Sequence, residues 1–532
     1  MDKTDRAGLV VFCVAIAFLS FLGGAYVTLA KVFPYDYFND AFKAAKALSA
    51  QRAVVDPYTQ TDLWRRARRD DRGVTIHDPR RAYQGYTLYT SGDGTYAQLV
   101  DMAGEVVHRW ELPFSAVWQE TPSGREPQPD DLMYWRKARV LPNGDLVAIY
   151  IAANDTPWGY GLVKIDRDSK LIWRYTAHVH HDLDIAPDGR VITLTHQFTD
   201  EPVESFAQLQ KPWLDDFLVV LAGEDGRELS RHSLFHGFLA SPFGDMLYST
   251  PSFATADPLH TNSVQFLDEA TTAAFAPAAN RPGQVLLSFR HPGSVALVDP
   301  ASGEMTWATR GSWLGQHYAR ALPNGHITIF DNLGNYQPGN RTRLMEIDPA
   351  SEAVVWRYTG DDTHPFDSGL RGAAETLPNG NRLITESDGG RLLEVSPDGS
   401  LVWEFVNPVR GGDKDQFIPV VSSGQRIAPE AFDADFRAVL ATPGRKTHDA
   451  SSQALSLQSL SFPAEPTAVG TAAARHRRHA APGRRGLRRS GRRAQPAGCP
   501  VGACRGHRRR GAVRDPVADP AHAPSPQGAS RG

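Results

Sequence analysis

The stretch Gln316–Asn332, QHYARALPNGHITIFDN, decides how the fold is read. Two β-prone runs flank a Leu-Pro-Asn-Gly turn at Leu322–Gly325. Proline presets the turn's first bend and glycine takes positive φ without steric cost, so this pattern marks a reversal between strands. The same turn returns at Leu377–Gly380 and Leu141–Gly144, and as APDG at Ala186–Gly189. In the clearest copies the turn leads to a strand ending in Asp or Ser, a second turn, and a strand bearing Trp. Examples are Asp348 with Trp356, Ser396 with Trp403, and Asp166 with Trp173. The copy opened by Ala186 ends near Ser230 without its Trp, and His260–Trp307 carries an insert, Glu269–Gln284. Tyr86–Trp110 is a partial first copy.

These are six units, and Trp307, Trp356 and Trp403 are spaced by 49 and 47 residues. That length suits a four-stranded blade. One blade cannot bury both of its faces, whereas a ring of blades can. The sequence therefore predicts an all-β chain, a six-bladed β-propeller over residues 83–440, with seven blades as the alternative because the first unit is incomplete. A strand from Gln416–Leu440 is expected to pair with the first blade and close the ring. The repeated Trp residues read as blade-to-blade packing.

The flanks differ from this body. Ala7–Ala30 has no formal charge and is long enough to span a bilayer as a helix. Residues 1–30 are expected to be an uncleaved transmembrane anchor, 31–82 a helical and solvated tether, and 441–532 a disordered basic tail. From Ala441 onward there are 17 Lys and Arg against 4 Asp and Glu, leaving the rest with 40 against 56, a net of −16. An acidic body disfavours nucleic acid as a partner. Cysteine occurs only at Cys13, Cys499 and Cys504, which excludes a disulfide framework or Cys-based zinc site in the repeats.

Polar residues gather just before the repeated turns, where loops enter the innermost strands of a propeller. His180-His181-Asp182 precedes APDG, His260-Thr261-Asn262 opens the fourth unit, Arg290-His291 ends its second strand, and Gln316-His317 precedes LPNG. His364 and Arg371 hold the corresponding place before the last LPNG. Imidazole and guanidinium groups repeated at one depth suit an anionic ligand or a metal. The run His178–Asp182 offers metal-ligating side chains, but they sit together on one strand and would need partners from elsewhere, so no metal or cofactor is expected.

In order and content these motifs resemble those of the bacterial arylsulfate sulfotransferases, which do not depend on 3′-phosphoadenylyl sulfate. The resemblance covers about Tyr86–Val406. It implies a six-bladed propeller that moves a sulfuryl group from a phenolic sulfate ester to a phenolic acceptor, by ping-pong through a sulfated histidine. It implies His317 as that nucleophile, His181 and His260 as assisting histidines, and Arg290 as the sulfate-binding arginine. Asn262 stands beside His260, and His180 is the alternate for His181. The substrates are thus expected to be an aryl sulfate and a phenol. The catalytic domain is expected in the periplasm, held at the inner membrane by the N-terminal helix. A ligand-binding propeller without catalysis is one rival reading. A quinoprotein is another, since Val298–Trp307 resembles a tryptophan-docking repeat.

Overall fold

The computed structural model describes residues 3–35, 37, 56–332 and 341–442. Short apolar runs separated by tight turns give antiparallel strands, and each LPNG-type turn closes as its chemistry requires. Gly325 lies at φ +87° and donates its N–H to Leu322 O at 3.0 Å, while Leu322 N–H reaches His326 O at 2.8 Å. A side chain at that positive φ would be strained.

Among the described residues the strands form six antiparallel blades. The innermost strands, in ring order, are Val421–Ile427, Met133–Val140, Val179–Ile185, Thr261–Phe266, His317–Ala321 and Ala373–Thr376. We number the blades 1 to 6 in that order. Val421–Ile427 pairs with Tyr86–Ser91, so the last of the described strands completes the first blade and closes the ring. The insert after blade 4's first strand forms a helix, Glu269–Ala274, and a single helical turn, Ala276–Ala278.

The core is not one central mass. Apolar residues group between neighbouring blades, as with Trp110, Leu99, Trp135 and Ala148 between blades 1 and 2. Tyr318, Phe330, Ile384 and Leu393 do the same between blades 5 and 6. The repeated tryptophans fasten these layers. Trp110 donates to Gly144 O at 2.9 Å, Trp173 to Gly223 O at 3.0 Å, Trp356 to Pro397 O at 2.9 Å and Trp403 to Met102 O at 3.1 Å, each carbonyl lying on the next blade. The blade without a Trp substitutes Ser230, which donates to Pro300 O at 2.8 Å.

Residues 56–82 depart from the expected solvated tether. Trp64–Arg66 pairs with Phe417–Pro419, and Gly73–His77 adds a fifth strand to blade 6. The basic run that suggested solvation finds carboxylates instead. Arg65 meets Asp388 at 2.9 Å, Arg68 meets Glu386 at 2.6 Å and Arg69 meets Glu404 at 2.7 Å, all on blade 6. Leu63, on this strap, is fully buried in an apolar cluster with residues of blades 2 and 3. Residues 38–55 of the expected helical tether and the tail from residue 443 lie outside the described residues. Lys3–Ala30 is one helix, and its segment Val11–Ala30 is long and apolar enough to cross a membrane, a property that signal sequences share.

Candidate active site

The innermost strands break their pairing at equivalent places. Register shifts fall at Trp135/Lys137, His180/Leu183, Thr261/Ser263, His317/Arg320 and Val421/Ser423. A bulge of this kind re-aims a side chain out of the ladder. Four non-glycine residues beside these breaks or before blade 6 have left-handed backbone: His181 at +57°, His260 at +49°, Tyr318 at +50° and Arg371 at +59°. Such conformations cost on the order of 1–3 kcal/mol each and persist where the surroundings impose them.

The result is a cavity of about 270 Å³ on the ring axis. His181, His260, Arg290 and His317, from blades 3, 4 and 5, line it together. Arg136, Tyr134 and Trp158 line it from blade 2, and Arg371 from blade 6, with Asp62 from the N-terminal strap. His180 and Asn262 are not on this lining; they are buried behind it. His180 Nδ1 lies 2.7 Å from His181 Nδ1, and Asn262 donates to Gln316 O at 2.8 Å, steadying the strand that begins at His317. His364 is off the lining and faces Asp361 at 3.4 Å.

The tautomer of His317 follows from its partner. Asn332 donates its amide N–H groups to Ser368 O at 2.6 Å and Arg371 O at 2.8 Å, so its oxygen must face His317. His317 Nδ1 lies 2.7 Å from that oxygen and therefore carries the proton. Nε2 keeps its lone pair. Burial, and then the Arg290 charge, push the His317 pKa well below the usual imidazole value, so the ring is neutral. A neutral imidazole with a free Nε2 is a nucleophile.

His260 is held differently. Its Nδ1 contacts Asp257 Oδ2 at 2.5 Å. Burial alone would raise the Asp257 carboxyl, but the adjoining His260 ring holds it well below the ordinary carboxylate range. A carboxylate on Nδ1 fixes the orientation of the ring, which suits a group that gives and takes a proton. Burial, then His260 and His180, depress His181 well below the usual value. The His181 and His260 rings lie 4.9 Å apart, centroid to centroid. Trp158 sits over both, at 6.1 and 5.6 Å.

One step further along the same strands the axis is filled by ion pairs. Asp182 receives Lys137 at 3.5 Å and Arg320 at 3.1 Å, and Arg139 meets Glu375 at 3.0 Å. Among the described residues two histidine–carboxylate groups have donor atoms close enough for a cation. In Asp257, His260 and His291 the ring nitrogens on the carboxylate side are already hydrogen-bonded. In His180, His196 and Asp216 they are not: His180 Nε2 and His196 Nδ1 have no hydrogen-bond partner and lie 3.6 and 3.9 Å from Asp216 Oδ1.

A family model described as arylsulfotransferase (ASST) matches residues 137–408. No curated protein matches the sequence. Among solved structures, a protein of unknown function from Bacteroides caccae is 13% identical, with a TM-score of 0.40, over 64% of this chain and 99% of that one. A catalytically inactive virginiamycin B lyase from Staphylococcus aureus, with quinupristin, is 13% identical at a TM-score of 0.30, over 51% and 69% of the two chains. BamB from Moraxella catarrhalis is 11% identical at a TM-score of 0.28, over 66% and 84%.

Proposed function

Because the chain belongs to the arylsulfotransferase (ASST) family, we propose that it moves a sulfuryl group from an aryl sulfate to a phenol through His317, without 3′-phosphoadenylyl sulfate. In the first half-reaction His317 Nε2 attacks sulfur and the bond from sulfur to the aryl oxygen breaks. His260 gives its proton to the departing oxygen, and the phenol leaves. In the second, an incoming phenol gives its proton back to His260 and its oxygen attacks the sulfur on His317. The sulfuryl group leaves with the acceptor and both histidines are restored. Arg290 faces the sulfuryl oxygens, where a guanidinium matches their charge and geometry. His181, beside His260, supports the oxygen that leaves or attacks.

The observation that carries this reading is the pair of differently held imidazoles on one cavity. His317 is neutral with Nε2 open, and His260 is backed by a carboxylate. A covalent intermediate divides one difficult transfer into two displacements. The test is to incubate the protein with 4-nitrophenyl sulfate, with and without phenol, and follow nitrophenolate and phenyl sulfate. Release of nitrophenolate that phenol accelerates, with phenyl sulfate formed in equal amount, is expected. Release unaffected by phenol, with free sulfate as product, would point to hydrolysis instead.

The same reading places the protein in the inner membrane by its N-terminal helix, with the propeller in the periplasm. The apolar segment Val11–Ala30 and the cysteine-free repeats support it. Protease added to spheroplasts is expected to digest the propeller; protection until lysis would place it inside.

A further inference from the structure

The cavity carries more positive charge than one aryl sulfate uses. Three guanidiniums line it, from Arg136, Arg290 and Arg371. Arg371 is ion-paired with Asp62. Both Arg290 and Arg136 act on His317, Arg290 the more strongly, which puts Arg290 at the sulfuryl end. Arg136 is left. It is only 9% exposed, and Nη1 donates to Ser422 O at 3.0 Å. Among the described residues no carboxylate forms an ion pair with it. The two acids whose charges reach it are engaged elsewhere, Asp182 with Lys137 and Arg320, and Asp62 with Arg371. A buried charge without an opposite partner is expensive, and natural proteins seldom keep one without use.

The charge balance of the transfer gives it no use at the sulfur. The sulfuryl group itself keeps a single negative charge from ester to intermediate, and Arg290 stands beside it. Position points the same way. Arg136 comes from blade 2, which faces blade 5 and its His317 across the six-membered ring. The gap there is short. At the next residue Lys137 Nζ reaches the Tyr318 hydroxyl at 3.0 Å, so two side chains span the axis. Tyr134 and Trp158 flank Arg136 on the same wall and give an aromatic ring apolar surface to rest on.

From this we infer that Arg136 receives a second anionic group on the substrate, so that the enzyme acts on aryl compounds bearing a carboxylate across the ring from the reacting phenolic oxygen. This rests on the sulfuryl-transfer reading, because donor and acceptor rings then share one pocket.

The test compares two phenols of nearly equal shape and acidity that differ in charge, 4-hydroxyphenylacetate and 4-hydroxyphenylacetamide. Full-length protein in detergent is given 4-nitrophenyl sulfate, and kcat/KM is measured for each acceptor. Calorimetry gives Kd for each phenol without turnover. In wild type the acid is expected to be favoured roughly tenfold or more in both measurements, as a charge-assisted pair requires. Arg136→Gln is expected to bring both ratios near one, and Arg136→Lys, which keeps the charge, to retain part of them. A wild type that treats the two phenols alike overturns the inference. So does an Arg136→Gln variant that keeps the wild-type ratio, since Arg136 would then serve the sulfuryl group. The two readings fail separately. A protein that transfers no sulfuryl group yet binds the acid more tightly contradicts the reaction and keeps the charge site. One that transfers without preference does the reverse.

Discussion

The rim and the axis of this ring follow opposite rules. At the rim the repeat is kept. Four tryptophans in equivalent strands donate to carbonyls of the next blade, and Ser230 makes the same link where the Trp is missing. At the axis the repeat is broken. Neighbouring positions at the heads of the inner strands hold Arg136, His181, His260, His317 and Arg371, in or beside bulges or on left-handed backbone. The rim needs one solution used many times, because every blade interface is the same packing problem. The axis needs different groups at one depth, because the chemistry needs a nucleophile, an acid and a cation. Strain concentrates where identity varies, and the regular rim is what sustains it.

Breaking the axis should cost activity before it costs the fold. The largest effect is expected for Asp257→Asn. His260 then loses the carboxylate on Nδ1, and kcat for aryl sulfate turnover should fall by roughly 10²–10⁴. Far-ultraviolet circular dichroism should stay that of the wild type. A kcat within a few-fold of wild type would remove His260 from acid–base work. Asn332→Ala is expected to lower kcat by about tenfold to a hundredfold, because nothing then holds the His317 proton on Nδ1. An unchanged kcat would mean that His317 finds its tautomer without help.

The buried imidazoles also tie stability to pH. Burial pushes His196 to about 4, and burial with the nearby His260 does the same to His291. His180, His181 and His317 are pushed well below the usual value as well. Unfolded histidines titrate near about 6.5. Between the two ranges the unfolded chain binds more protons, so stability should be full above about 6.5 and fall as pH drops toward 4. Melting temperatures measured across that window should decline, and a flat profile would show that the cluster is charged when folded. At the rim the expected effect is smallest. Trp403→Phe removes one hydrogen bond to the Met102 carbonyl and should cost about 1–2 kcal/mol in a denaturant titration, with turnover unaffected. A loss of turnover equal to that of the axis variants would erase the contrast.

Much of this was legible in the sequence for the reason the rim is regular. A turn such as LPNG has few conformations, so its recurrence at blade spacing predicts the ring, and the Trp that follows predicts the packing. The histidine and arginine motifs were legible because they precede those turns. What escaped was set by partners distant in the chain. Trp64–Arg69 reads as solvated until Glu386, Asp388 and Glu404 come beside it, more than 300 residues later. Arg136 hides in MYWRKARV, where the bulge breaks the strand alternation that would have marked it as inward. Asp257 lies outside regular strands, where no periodicity flags it. Asn332 closes the stretch that begins at Gln316, and only the folded ring shows its oxygen turned to His317.

The account's central claim is that His317 carries the sulfuryl group between donor and acceptor. Intact-mass measurement after mixing the protein with 4-nitrophenyl sulfate and no acceptor tests it most directly. A gain of one sulfuryl group is expected, mapped to His317 by peptide fragmentation, absent in His317→Ala, and discharged when phenol is added. An adduct on another residue, or full turnover by His317→Ala, would contradict it.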